Sequence, residues 1–162
     1  MAKAQAATRR SSRGSSRGTS RGKAAARRRA VVVHGMDHAR AALCAATEMD
    51  VAVRLLSAPG AAAFAGALWF ERLIAEARRE FPDAECDAAL DCGDSAGLAL
   101  GALRQGLPLI RFHGPKAVAG RLAAIAKRHG AALDPGRGAA LDLAQTDDPL
   151  TACRGWLGKG QA

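Results

Sequence analysis

Leu90-Asp91-Cys92-Gly93-Asp94 is the stretch on which the fold reading turns. An apolar run over about Asp87 to Asp91 ends in a carboxylate, a thiol and a glycine. Ser95 then stands where a helix N-cap belongs, ahead of a helix through Arg104 that Gly106 terminates. A buried strand running into a polar, glycine-containing loop and then a helix is the signature of a βα unit.

The same event recurs on both sides. Upstream, Ala30-Val31-Val32-Val33 ends at His34-Gly35. Asp37 is placed to cap an alanine-rich helix that ends near Met49. A second strand, Val51 to Leu56, runs into the loop Ser57-Ala58-Pro59-Gly60-Ala61. The longest helix is expected over Ala63 to Phe81, where Phe70, Leu73, Ile74, Ala77 and Phe81 recur at helical spacing. That stripe reads as core packing.

Downstream, a fourth strand, Leu109 to Phe112, closes with His113-Gly114-Pro115. Pro115 suits the first position of a helix running to His129-Gly130. A fifth strand is expected near Ala140 to Leu143, and Asp148-Pro149 opens a last short helix. Strands alternating with helices imply right-handed βαβ units and a parallel sheet, with chemistry collecting at the carboxyl ends of the strands. The expected class is α/β, with four to five parallel strands arranged like half of a (β/α)8 barrel. A flavodoxin-like three-layer sandwich is the alternative.

Charge divides the chain in two. Ten of the 24 basic residues precede residue 34, and the first acidic residue is Asp37. The remaining 14 face all 15 acidic residues, so the body carries a net charge of −1. Residues 1–29, with the repeat Ser-Ser-Arg-Gly, Ser-Ser-Arg-Gly, Thr-Ser-Arg-Gly, are expected to be a disordered basic tail, and residues 30–162 the folded α/β domain. Such a tail is attracted to nucleic acid by counterion release without reading sequence, which makes a non-enzymatic adaptor or nucleic-acid-associated protein the alternative function; a solvated extension is the plainer reading of the tail.

Cys44, Cys86, Cys92 and Cys153 form no C-x-x-C pair, and no apolar run is long enough to cross a bilayer. Reduced thiols in a cytoplasmic protein are expected, with no membrane partner.

Three segments together carry a family resemblance. Ser57-Ala58-Pro59-Gly60-Ala61, Leu90-Asp91-Cys92-Gly93 and Phe112-His113-Gly114-Pro115 resemble, in order and spacing, three strand-end motifs of the class II fructose-bisphosphate aldolases. The resemblance spans roughly residues 31–130, the first four βα units of that barrel. It implies that Asp91 is the general acid/base, that Cys92 occupies a metal-ligand position where the family has histidine, and that Ser57 touches substrate. Zinc is the cofactor so implied; the family's remaining zinc ligands and phosphate loops lie in the second half of its barrel. Binding of a small phosphorylated or carbonyl metabolite is therefore expected ahead of aldol cleavage.

Strand alternation adds Arg111 and His113 on the face of Asp91, with Gly60 and Gly114 lining the same mouth. In this cluster Arg111 either binds an anion or neutralises Asp91. His34 and His38 straddle a strand end and a helix start, and His129 reads as a cation at a helix C-terminus. A half barrel with an uncovered inner face predicts a homodimer, or flattening into a flavodoxin-like layer with the C-terminal helix covering that face.

Overall fold

The computed structural model describes residues 28–136 and 138–159; most of the basic tail lies outside them. Six strands form one all-parallel sheet: β1 Arg29–Val33, β2 Val53–Ser57, β3 Cys86–Asp91, β4 Leu109–Arg111, β5 Ala132–Asp134 and β6 Ala140–Asp142. Their order is β5-β4-β3-β2-β1-β6. The helices are α1 Met36–Glu48, α2 Ala61–Phe64, α3 Ala67–Glu80, α4 Ala96–Arg104, α5 Lys116–Arg128 and α6 Pro149–Gly158.

Local chemistry sets most boundaries. The Ser95 hydroxyl accepts from the Leu98 amide at the start of α4. The Asp148 carboxylate accepts from Thr151 ahead of Pro149, which fits the first turn because it has no amide to leave unpaired. Asp37 is not a cap: α1 starts one residue earlier, after an extended Gly35 with no side-chain cap bond. The helix expected over Ala63 to Phe81 is two helices. Gly66, at φ +84, makes a left-handed break between α2 and α3 that a residue with a Cβ would resist. Pro115 is the residue before α5 rather than its first turn.

Register shows which face packs. Val31 pairs with Leu55 and Leu55 with Ala88, while Leu90 pairs with Ile110 and Ile110 with Leu133. Residues of this parity join the buried cluster contributed by the helices; Leu56 and Ala89, of the opposite parity, do not. The helices thus form one outer layer, and α6 belongs to it, with Cys153 and Leu157 in that cluster. A flavodoxin-like sandwich, which has helices on both faces, is not what forms. Nor does the last helix cover the inner face.

The sheet must curl about that inner face. In a flat sheet β5 and β6 would sit five strand intervals apart, roughly 24 Å. Only six residue steps join Asp134 to Ala140, which reach at most about 22 Å when fully extended. A direct ion pair from Arg54 on β2 to Asp134 on β5, at 2.7 Å, spans the concavity. The fold is barrel-like, as expected, with two differences. It has six strands rather than four or five, and Leu56 and Ala89 are already buried inside the single chain. No helix among the described residues is long and apolar enough to cross a membrane.

Candidate functional site

The carboxyl ends of the strands gather the polar residues. Asp91 ends β3 with 5% of its surface exposed, on the inner face. Its Oδ1 accepts two backbone amides, from Gly60 and Gly93, each at 2.9 Å. Both glycines have positive φ, +67 and +58, and a Cβ at Gly93 would lie 4.0 Å from Gly60 Cα. Loops after β2 and β3 are thus pinched together around one carboxylate oxygen.

The second oxygen faces His113, just after β4. Asp91 Oδ2 lies 2.6 Å from His113 Nε2, and the imidazole is half exposed. Burial works to raise the Asp91 pKa, but the Gly60 amide, the His113 imidazole and the Gly93 amide outweigh it, so the carboxyl sits below the usual aspartate value. The two amides and the imidazole thus favour the anionic form of Asp91 against its burial.

Ser57 braces this group from behind. Its hydroxyl accepts the Asp91 amide at 2.8 Å and donates to the Ala58 carbonyl at 3.1 Å. It therefore carries the β2–β3 ladder one step past its last backbone pair. Gly114 packs closely on Phe112: a Cβ there would meet the ring at 2.2 Å, so the ring would have to move. His113 is held by its backbone amide, which donates to the Gly93 carbonyl at 2.8 Å.

Arg111 does share the inner face with Asp91, as strand parity requires, but it does not pair with it. The guanidinium donates through Nε and Nη2 to Oδ2 of Asp134, its neighbour on β5. The expectation that Arg111 neutralises Asp91 is corrected for a physical reason. β5, Ala132–Asp134, is too short to carry a strand pattern in the sequence, and it supplies a nearer carboxylate.

Cys92 turns the other way. It is buried in the helix-facing cluster, and its Sγ points to the Leu90 carbonyl at 3.8 Å. Burial, with the Asp91 charge beside it, pushes the thiol up to about 12. A buried thiol held in its protonated form does not fit the metal-ligand position that the aldolase resemblance implies. No group of three or more His, Cys, Asp or Glu among the described residues is placed to hold a metal ion.

A second imidazole–carboxylate pair lies across the mouth. His34 Nε2, after β1, is 2.7 Å from Asp142 Oδ1 at the end of β6. The Asp142 carboxylate also accepts the Ala144 amide, and with His34 this outweighs burial and lowers its pKa. His38 accepts the His34 amide through Nδ1 at 3.3 Å, and burial followed by the neighbouring His34 lowers its pKa. The His34–Asp142 pair was missed because β6 pairs with β1 across more than a hundred residues of sequence, and no local pattern announces that contact.

Compared with known proteins, the chain matches no family model and no curated protein. The aldolase resemblance rests on the quoted motifs alone.

Proposed function

We propose that the strand mouth binds a small carbonyl or phosphorylated metabolite and that the Asp91–His113 pair moves a proton on it. The supporting observation is the division of labour at Asp91: Oδ1 is fixed by two glycine amides while Oδ2 holds His113 Nε2 at 2.6 Å. A carboxylate fixed in this way sets the tautomer, drawing the proton to Nε2 and leaving Nδ1 as the acceptor. Nδ1 has no partner among the described residues, and the half-exposed ring can present it to a ligand.

In this reading His113 is the proton-transfer group, and Asp91 orients it and stabilises the imidazolium formed. That changes the role carried over from the aldolases, where the aspartate itself would act. Zinc at Cys92 has no place in the scheme, because the sulfur is buried away from the mouth. Proton exchange at the carbon beside a ketose-phosphate carbonyl is the simplest reaction for such a pair, and carbon–carbon cleavage would be a further step.

The test is deuterium exchange into dihydroxyacetone phosphate, followed by NMR. The expected result is exchange that His113→Gln reduces about a hundredfold or more. Exchange no faster than in buffer, or equal in His113→Gln, would overturn the proton-transfer reading.

A further inference from the structure

Behind the mouth, the inner face and the start of β1 with α6 together line a cavity of about 360 Å³, whose lining includes Arg28, Arg29, Arg54, Arg111, Asp134 and Trp156. Four guanidinium groups around one small space are costly unless paired or offered to an anion. Their pairing is uneven. Arg54 is held by both oxygens of Asp87 and by Asp134. Arg111 is held by Asp134 through Nε and Nη2, and its Nη1 has no partner among the described residues. Arg28 reaches Glu85 and Asp87 through its terminal nitrogens, while its buried Nε has no hydrogen-bond partner.

Arg29 differs from the rest. Its guanidinium carbon stacks 4.0 Å from the centroid of the Trp156 ring and meets no carboxylate among the described residues. The indole is itself fixed, donating through Nε1 to the Ala30 carbonyl at 3.0 Å. A stacked guanidinium keeps its in-plane N–H donors free and loses little freedom when an oxyanion binds them. Set against Glu85, Asp87 and Asp134, the four arginines leave one positive charge in excess.

We infer that this cavity binds a small organic oxyanion, a phosphate or carboxylate group taken by the edge of Arg29 with Arg111 Nη1 beside it. The volume is at the lower end for a ligand pocket, which suits a compact metabolite. The inference does not depend on proton transfer at His113.

Calorimetric titration of the full chain with inorganic phosphate, and separately with succinate, at low ionic strength tests it and separates the two anion classes. The expected result is saturable binding of at least one of them, weakened tenfold or more in Arg29→Gln. Arg29→Lys, which keeps the charge but loses the fork and much of the stacking, should bind several-fold more weakly than wild type and serves if Arg29→Gln fails to fold. Arg72→Gln, on the exposed side of α3, should bind as wild type. Absence of saturable binding for both anions overturns the inference. So does equal binding in wild type and Arg29→Gln, since the basic tail alone would then account for it.

Discussion

Arg54 Nη1 meets Asp134 Oδ1 at 2.7 Å although β2 and β5 are three strands apart in the sheet. In a flat sheet that interval is roughly 14 Å, beyond what the two side chains can close along with their offset in register. The pair is therefore a consequence of the curl, and it also holds the curl. Both groups are almost fully buried, and Asp87 and Arg111 complete their coordination. Removing one member leaves buried charges without partners, which costs far more than the net worth of the intact pair.

Arg54→Met should accordingly destabilise the protein by about 3–5 kcal/mol, because Asp87 loses its two-pronged partner and Asp134 loses one of its two arginines. Urea unfolding followed by far-ultraviolet circular dichroism measures this. A loss below about 1 kcal/mol would mean that the inner face is wet enough to solvate the carboxylates.

The Asp91 carboxyl gives a signed pH dependence. Its folded pKa lies below the unfolded value because amide and imidazole hydrogen bonds outweigh burial. The unfolded chain then binds the extra proton first, so Asp91 contributes stability above the usual aspartate range. That contribution disappears as pH falls through the depressed folded value. The stability gap between wild type and Asp91→Asn should be widest near neutrality and narrow steadily below about pH 4. Urea midpoints of both proteins across that range read it directly, and a gap independent of pH would contradict the assigned hydrogen bonds.

These two groups show how far the residues announced the structure. The βα repeat was legible because each strand is a short apolar run closed by glycine and a cap, as in Leu90 to Ser95, so class, parallel sheet and most helices follow from local pattern. Strand alternation also placed Asp91, Arg111 and His113 on one face, and Asp91 and His113 do meet. What local pattern could not show is pairing set by closure. β5 is only Ala132–Asp134, too short for a periodic signal, yet it decides that Arg111 faces Asp134. Cys92 was assigned a metal position by motif, whereas alternation after Asp91 sends its sulfur to the opposite face.

Glycine substitutions separate positions held by geometry from positions that are merely small. Gly114→Ala places a methyl inside the Phe112 ring and should cost about 1–3 kcal/mol through displaced packing at the mouth. Gly93→Ala, at φ +58, should cost about 1 kcal/mol from backbone strain alone. Gly120 lies within α5 with open space around it, and Gly120→Ala should instead stabilise by about 0.5–1 kcal/mol. Thermal melts of the three variants give the order directly. Equal effects at Gly114 and Gly120 would remove the case for close packing of Gly114 against the Phe112 ring.

The four cysteines should separate by depth. Cys44 and Cys86 are partly exposed, whereas Cys92 and Cys153 are buried with thiols raised to about 12 and about 11. Relative to an ordinary thiol near 9, Cys92 should hold about a thousandfold less thiolate at neutral pH, before steric protection is counted. Maleimide treatment of the native protein should modify no more than Cys44 and Cys86, and all four should react in urea. Peptide mass spectrometry locates the labels. Rapid native labelling of Cys92 would put its sulfur at the open mouth beside Asp91, and a thiolate there would restore the metal-ligand role that its burial rules against.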